Sequence, residues 1–144
     1  MDGRARPTYL ASMSSSASPC PFCPPAPGAL VAESALCQAV RDGYPVAPGH
    51  TLVAPKRHVA SVFALTDEEW ADLWALLRRV RGMVPELLEA EAVNVGVNDG
   101  AAAGQTVGHA HVHLIPRRHG DVADPRGGVR WVIPATADYW SERE

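Results

Sequence analysis

Gly108-His109-Ala110-His111-Val112-His113-Leu114-Ile115-Pro116 is the stretch that decides the fold. Successive side chains of a strand point to opposite faces. The run therefore reads as a strand with His109, His111 and His113 on one face and Ala110, Val112 and Leu114 on the other. The apolar face is the one expected to be buried. A solvated face accepts any polar residue, so three imidazoles there need a further reason. Imidazole titrates nearest neutrality, and a cluster of three points to proton transfer, nucleophilic attack or metal binding.

Working outward, residues 93–98 alternate as a second strand, and the small-residue loop 99–104 leads through Gln105 and Thr106 to the histidine strand. Further upstream, Trp70, Leu73, Trp74, Leu77, Val80 and Val84 recur at helical spacing. Thr66 and Glu69 fit a capping box at the start of this helix, and Pro85 ends or kinks it. The spacing places both tryptophans in the core. Residues 35–41 and 50–54 read as two more strands, the second stopped at Pro55, with a turn from Asp42 through Pro45 between them. Cys37 alternates with apolar neighbours and reads as a small buried hydrophobe.

The chain has 144 residues and a formal net charge of −3, enough for one domain and too little charge to favour nucleic acid or an anionic membrane as partner. No apolar run reaches the roughly 18 residues that a spanning helix needs. Residues 1–19 are rich in Ser and Ala and are expected to be a disordered leader without a signal-peptide core, with Met13 an alternative start. Residues 20–144 are expected to form one domain, with a tail from about residue 117 that carries Trp131 and Trp140. Three cysteines, an odd number, argue against a disulfide framework and for a reducing compartment, the cytoplasm.

Cys20-Pro21-Phe22-Cys23 places two thiols at a spacing that suits two corners of a zinc tetrahedron. The prolines at 24, 25 and 27 forbid the regular helix that a redox Cys-x-x-Cys motif would open. Spacing alone leaves two readings: a zinc site completed by distant histidines, or a reduced structural pair.

The His-x-His-x-His pattern of residues 109–113 resembles the histidine triad (HIT) superfamily of nucleotide hydrolases and transferases. Asp42, residues 48–53, Pro55-Lys56-Arg57-His58, Asn98-Asp99-Gly100 and Gly104-Gln105-Thr106-Val107 stand in that family's order, so the resemblance covers about residues 20–121. It implies an α+β fold, an antiparallel sheet of about five strands with one long helix, dimerising across a two-fold axis into a larger sheet. The tail tryptophans would then reach the partner's nucleotide site.

It also implies that His111 attacks the α-phosphorus of a nucleotide and forms a nucleotidyl-histidine intermediate. His113 and His50 would bind phosphate oxygens and compensate charge; Asn98, Gln105 and Thr106 would contact phosphate or ribose, and Asp42 the ribose hydroxyls. Each of these four also suits ordinary turn chemistry. Relatives with an N-terminal Cys-x-x-Cys resemble this chain in holding a structural zinc, here on Cys20, Cys23, His58 and His109. His113, where transferase branches carry Gln, favours hydrolysis, with dinucleoside polyphosphates the expected substrates. A nucleoside phosphoramidase and a nucleotide-binding regulatory module with negligible turnover are the alternatives. His119 lies outside the pattern and is expected on an exposed loop.

Overall fold

The computed structural model describes residues 20–143, so the expected leader 1–19 lies outside the described residues. Strands β1 (Leu30–Glu33), β2 (Cys37–Arg41), β3 (Thr51–Pro55), β4 (Ala92–Gly96) and β5 (Val112–Arg117) form one antiparallel sheet in the order β1-β2-β3-β5-β4. Helix α1 (Asp67–Arg81) lies across it, and a single turn, α2 (Pro85–Leu88), follows. The expected α+β class and five-strand sheet are what the chain forms.

The helix packs through Leu73, Leu76, Leu77 and Val80 onto Cys37 and Ala39 of β2, Val53 of β3, and Val112 and Leu114 of β5. Alternation in β5 gives that strand a buried apolar face, as expected. Cys37 is fully buried, and burial pushes its thiol up to about 12, so it stays a neutral packing residue. Thr66 caps the helix by accepting from the Glu69 amide at 3.1 Å. The other half of the expected capping box is absent, because the Glu69 carboxylate turns to Arg57, 3.0 Å away.

Three other expectations are corrected. Trp70 and Trp74 are 41% and 37% exposed rather than core: they lie beside the buried stripe of Leu73, Leu76, Leu77 and Val80, not within it. β1 precedes the expected strand 35–41, which begins only at Cys37. The histidine strand begins at Val112, so His109 and His111 lie before it and only His113 stands within it. The ladder from β3 to β5 ends at the Val53–Val112 pair. Past Pro55 the neighbouring chain leaves the sheet, and residues 109–111 are held instead by single bonds such as Ala110 N–H to the Val59 carbonyl, 2.7 Å.

Candidate active site and metal centre

Leaving the ladder lets the three histidines turn to different partners. His109 is fully buried, with Nε2 2.8 Å from the Pro55 carbonyl oxygen. A carbonyl only accepts, so Nε2 carries the proton and Nδ1 the lone pair. That lone pair faces Cys20 Sγ at 3.4 Å, Cys23 Sγ at 3.4 Å and His58 Nδ1 at 3.1 Å. Cys23 Sγ is 3.4 Å from His58 Nδ1, and all four ligand atoms lie within 4.8 Å of one another. A zinc tetrahedron of thiolates and imidazoles has edges of roughly 3.3–3.8 Å. Two thiols and two aromatic nitrogens at these spacings therefore fit the metal in donor type and size. The Pro55 carbonyl would supply the outer hydrogen bond that orients His109 as a ligand.

His111 is 8% exposed, and its Nδ1 lies 2.8 Å from the His109 carbonyl oxygen. By the same reasoning Nδ1 is protonated and Nε2 keeps its lone pair, the state a nitrogen nucleophile requires. The His113 ring contacts it, centroid to centroid 4.9 Å.

His50 is presented by Gly49, at φ +90°, where an added Cβ would lie 2.4 Å from Glu86 Cβ, so only glycine fits this turn. The Val46 amide donates to His50 Nδ1 at 3.2 Å, which leaves the proton on Nε2. That N–H meets His113 Nδ1 at 2.9 Å and Asp42 Oδ2 at 3.4 Å. His113 accepts at Nδ1 and so carries its own proton on Nε2, a donor. Burial, with His111 and His50 beside it, lowers the His113 pKa to about 4, and burial lowers that of His50 against the pull of Asp42. Both rings are neutral near pH 7.

A cleft of about 750 Å³ opens beside this pair and is lined by His50, His113, Asn98, Val46, Arg117 and Trp131 among others. Trp131 of the same chain thus reaches the site, braced by its indole N–H on the Arg126 carbonyl at 2.7 Å and by the Trp140 ring. Asn98 lines the cleft. Asp42 joins the site through His50, its other oxygen accepting from the Tyr44 amide at 2.8 Å. Gln105 is committed to backbone partners: Oε1 accepts from Gly100 N, and Nε2 donates to the carbonyls of Val107 in its own loop and of Ala60. Thr106 is exposed and does not line the cleft. His119 is exposed and pairs with Glu91.

Residues 24–120 match the family model described as the HIT domain. The chain belongs to the HIT family. Over 80 residues it is 44% identical to the asymmetrical bis(5′-nucleosyl)-tetraphosphatase of Schizosaccharomyces pombe, covering 56% of this chain and 44% of that protein. Over 77 residues it is 47% identical to the bis(5′-adenosyl)-triphosphatase of Dictyostelium discoideum, covering 54% and 52%. The matched region thus spans about half the length of these relatives. A HIT family protein from Bacillus subtilis superposes with a TM-score of 0.64 at 34% identity, over 71% of this chain and 75% of that one. Among the described residues no helix is long and apolar enough to cross a membrane. Two residues that the sequence reading gave no site role stand beside the expected set. Arg117 bridges Asn94 and Asp121 at the cleft, and Phe22 packs against two of the histidines.

Proposed function

We propose that this chain is a hydrolase that cleaves dinucleoside polyphosphates at an α-phosphate through a nucleotidyl-histidine intermediate. The observation that carries the reading is the His111 Nδ1–His109 carbonyl contact, which leaves the Nε2 lone pair on a ring that packs against His113, a residue lining the cleft. Nε2 attacks the α-phosphorus, the N–P bond forms as the bond to the leaving-group oxygen breaks, and the nucleoside polyphosphate departs. The His113 Nε2–H donates to a phosphoryl oxygen as charge builds. Water then attacks phosphorus, the N–P bond breaks, a water proton is released, and a nucleoside monophosphate leaves with His111 restored. The relatives named as polyphosphatases support this choice of substrate.

Cys20, Cys23, His58 and His109 would hold a zinc ion in a closed, structural site. A bound ion there ties the N-terminal loop to the segment carrying the nucleophile. We also infer a homodimer. Phe63, Trp70 and Trp74 form an exposed aromatic run with ring centroids 6.3 and 6.1 Å apart, next to Val97 at the end of edge strand β4. A second copy covering it would bury large aromatic area and extend the sheet. The free cysteines fit a reducing compartment such as the cytoplasm.

The test is product analysis with diadenosine tetraphosphate and adenosine 5′-phosphoramidate, with acid-free quenching to trap a nucleotidylated protein. AMP and ATP released from the first, with an adduct of AMP mass on residue 111, is the expected result. Turnover of the phosphoramidate alone would reassign the substrate, and the absence of an adduct from both would remove the covalent mechanism.

A further inference from the structure

Phe22 stands between the two thiols of the metal-ligating loop, yet its ring is 2% exposed and points inward. Its centroid lies 4.9 Å from the His109 ring and 5.5 Å from the His111 ring, tilted 45° and 34°. The backbone beneath it is fixed: buried Gln38 on β2 donates to the Phe22 carbonyl at 2.7 Å, and the Cys23 amide bonds the Cys20 carbonyl at 3.1 Å. Val40, Leu52 and Ala54 pack around the ring. One side chain thus rests on a metal-ligating histidine and on the nucleophile at once.

Packed aromatic contacts are stiff because protein interiors lack the free volume for a ring to tilt alone. His111 has one hydrogen bond to set its plane, from Nδ1, and a single bond leaves a ring free to swing about that axis. Contact with Phe22 and with His113 removes the swing and aims Nε2. We propose that Phe22 is a positioning residue that holds the His111 ring in line for attack and transmits the state of the Cys20–Cys23–His58–His109 cluster to it. The proposal rests on His111 as nucleophile and on a metal at the cluster. When the thiols are tied to the metal, the loop presses Phe22 onto both rings; when they are released, the ring loses its support.

The experiment uses protein as purified, with its zinc content measured first. Phe22→Leu, which keeps most of the volume but not the flat ring, should retain the metal. It should leave KM within about twofold and slow single-turnover nucleotidylation of residue 111 about tenfold, the cost of a misaimed nucleophile. The chain has only two phenylalanines, Phe22 and Phe63. Replacing both by 4-fluorophenylalanine keeps the ring, should keep the rate, and gives two assignable fluorine signals. Chelation should shift the Phe22 signal and leave Phe63 in place, a readout that needs no substitution to fold. A raised KM at unchanged rate would make Phe22 a wall of the nucleotide pocket. Metal loss in Phe22→Leu would make it loop packing only, and an unmoved fluorine signal would break the link to the cluster. Protein purified without metal overturns the coupling while leaving His111 as nucleophile, whereas His111→Ala with full turnover overturns the reading beneath both.

Discussion

The Cys20–Cys23–His58–His109 and Asp42–His50–His113 clusters each gather metal-ligating side chains whose ligand atoms lie within 4.8 Å of one another. Their hydrogen bonds separate them. In the first, His109 spends its proton on the Pro55 carbonyl and turns a lone pair toward two sulfurs and a second imidazole nitrogen. In the second, each imidazole Nδ1 lone pair already has a donor, the Val46 amide to His50 and the His50 N–H to His113, and Asp42 Oδ2 faces that same N–H at 3.4 Å. Lone pairs that converge call for a cation, whereas a chain of donors and acceptors ends in an N–H that an anion can use. On the proposed reading, the position of three protons divides two clusters made from the same residue types between metal and phosphate.

The sharpest way to break this division is to remove the nitrogen between the clusters. His111→Ala should lower turnover of diadenosine tetraphosphate by several orders of magnitude, because the covalent route disappears. His113→Gln, whose carboxamide does not reproduce the position of the imidazole N–H donor, should cost about 10²–10³ in kcat. Neither variant should lose metal. Steady-state rates with metal analysis check both, and metal loss from His113→Gln would erase the distinction between the clusters.

The first cluster should respond in the opposite sense. His109→Ala or Cys20→Ser opens a four-ligand site that closes the long loop from residue 23 to residue 58 and beyond, so metal content and thermal midpoint should fall together. A midpoint drop of about 5 °C or more is expected, with activity lost in proportion to unfolded or metal-free protein. Unchanged stability with metal absent would mean the four side chains are packing partners only.

These two sites were unequally legible in the sequence. His109, His111 and His113 stand within five residues, and Cys20 and Cys23 within four, so local spacing exposes them. The strand that was to carry all three histidines is shorter than their alternation implies, because where a ladder ends depends on the partner chain, here turning away at Pro55. β1 has no clean alternation and is half-exposed along its length, so periodicity had nothing to detect. Trp70 and Trp74 fit the helical period, but period does not say how wide a stripe the sheet can cover. Gln105 stands at a position that the family resemblance assigns to phosphate or ribose; its three bonds to backbone are set by a loop geometry that spacing does not encode. Phe22 meets His109 and His111 across nearly ninety residues of chain, beyond any local pattern.

The smallest expected effect concerns pH and sharpens the comparison from the second cluster. In the unfolded chain His113 takes up its proton near 6.5, its ordinary value; in the folded protein it does so near 4, because burial and the two neighbouring imidazoles oppose its charge. Between these values the unfolded state binds a proton that the folded state does not, so stability rises with pH across about 4 to 6.5 and is lost on acidification through the same window. His50, also shifted downward, acts in the same direction, and His119, raised by Glu91, acts in the other. A difference curve between wild type and His113→Gln cancels those shared contributions in large part. Thermal midpoints measured at constant ionic strength should therefore fall more steeply in the wild type than in His113→Gln as pH drops from 7 to 4.5. The two curves should converge toward the acid end. Parallel curves would mean that His113 takes up its proton in the folded protein as readily as in the unfolded chain. In that case the N–H offered to phosphate near pH 6 would belong to an imidazolium, and the neutral donor chain from Val46 through His50 would not describe the working site.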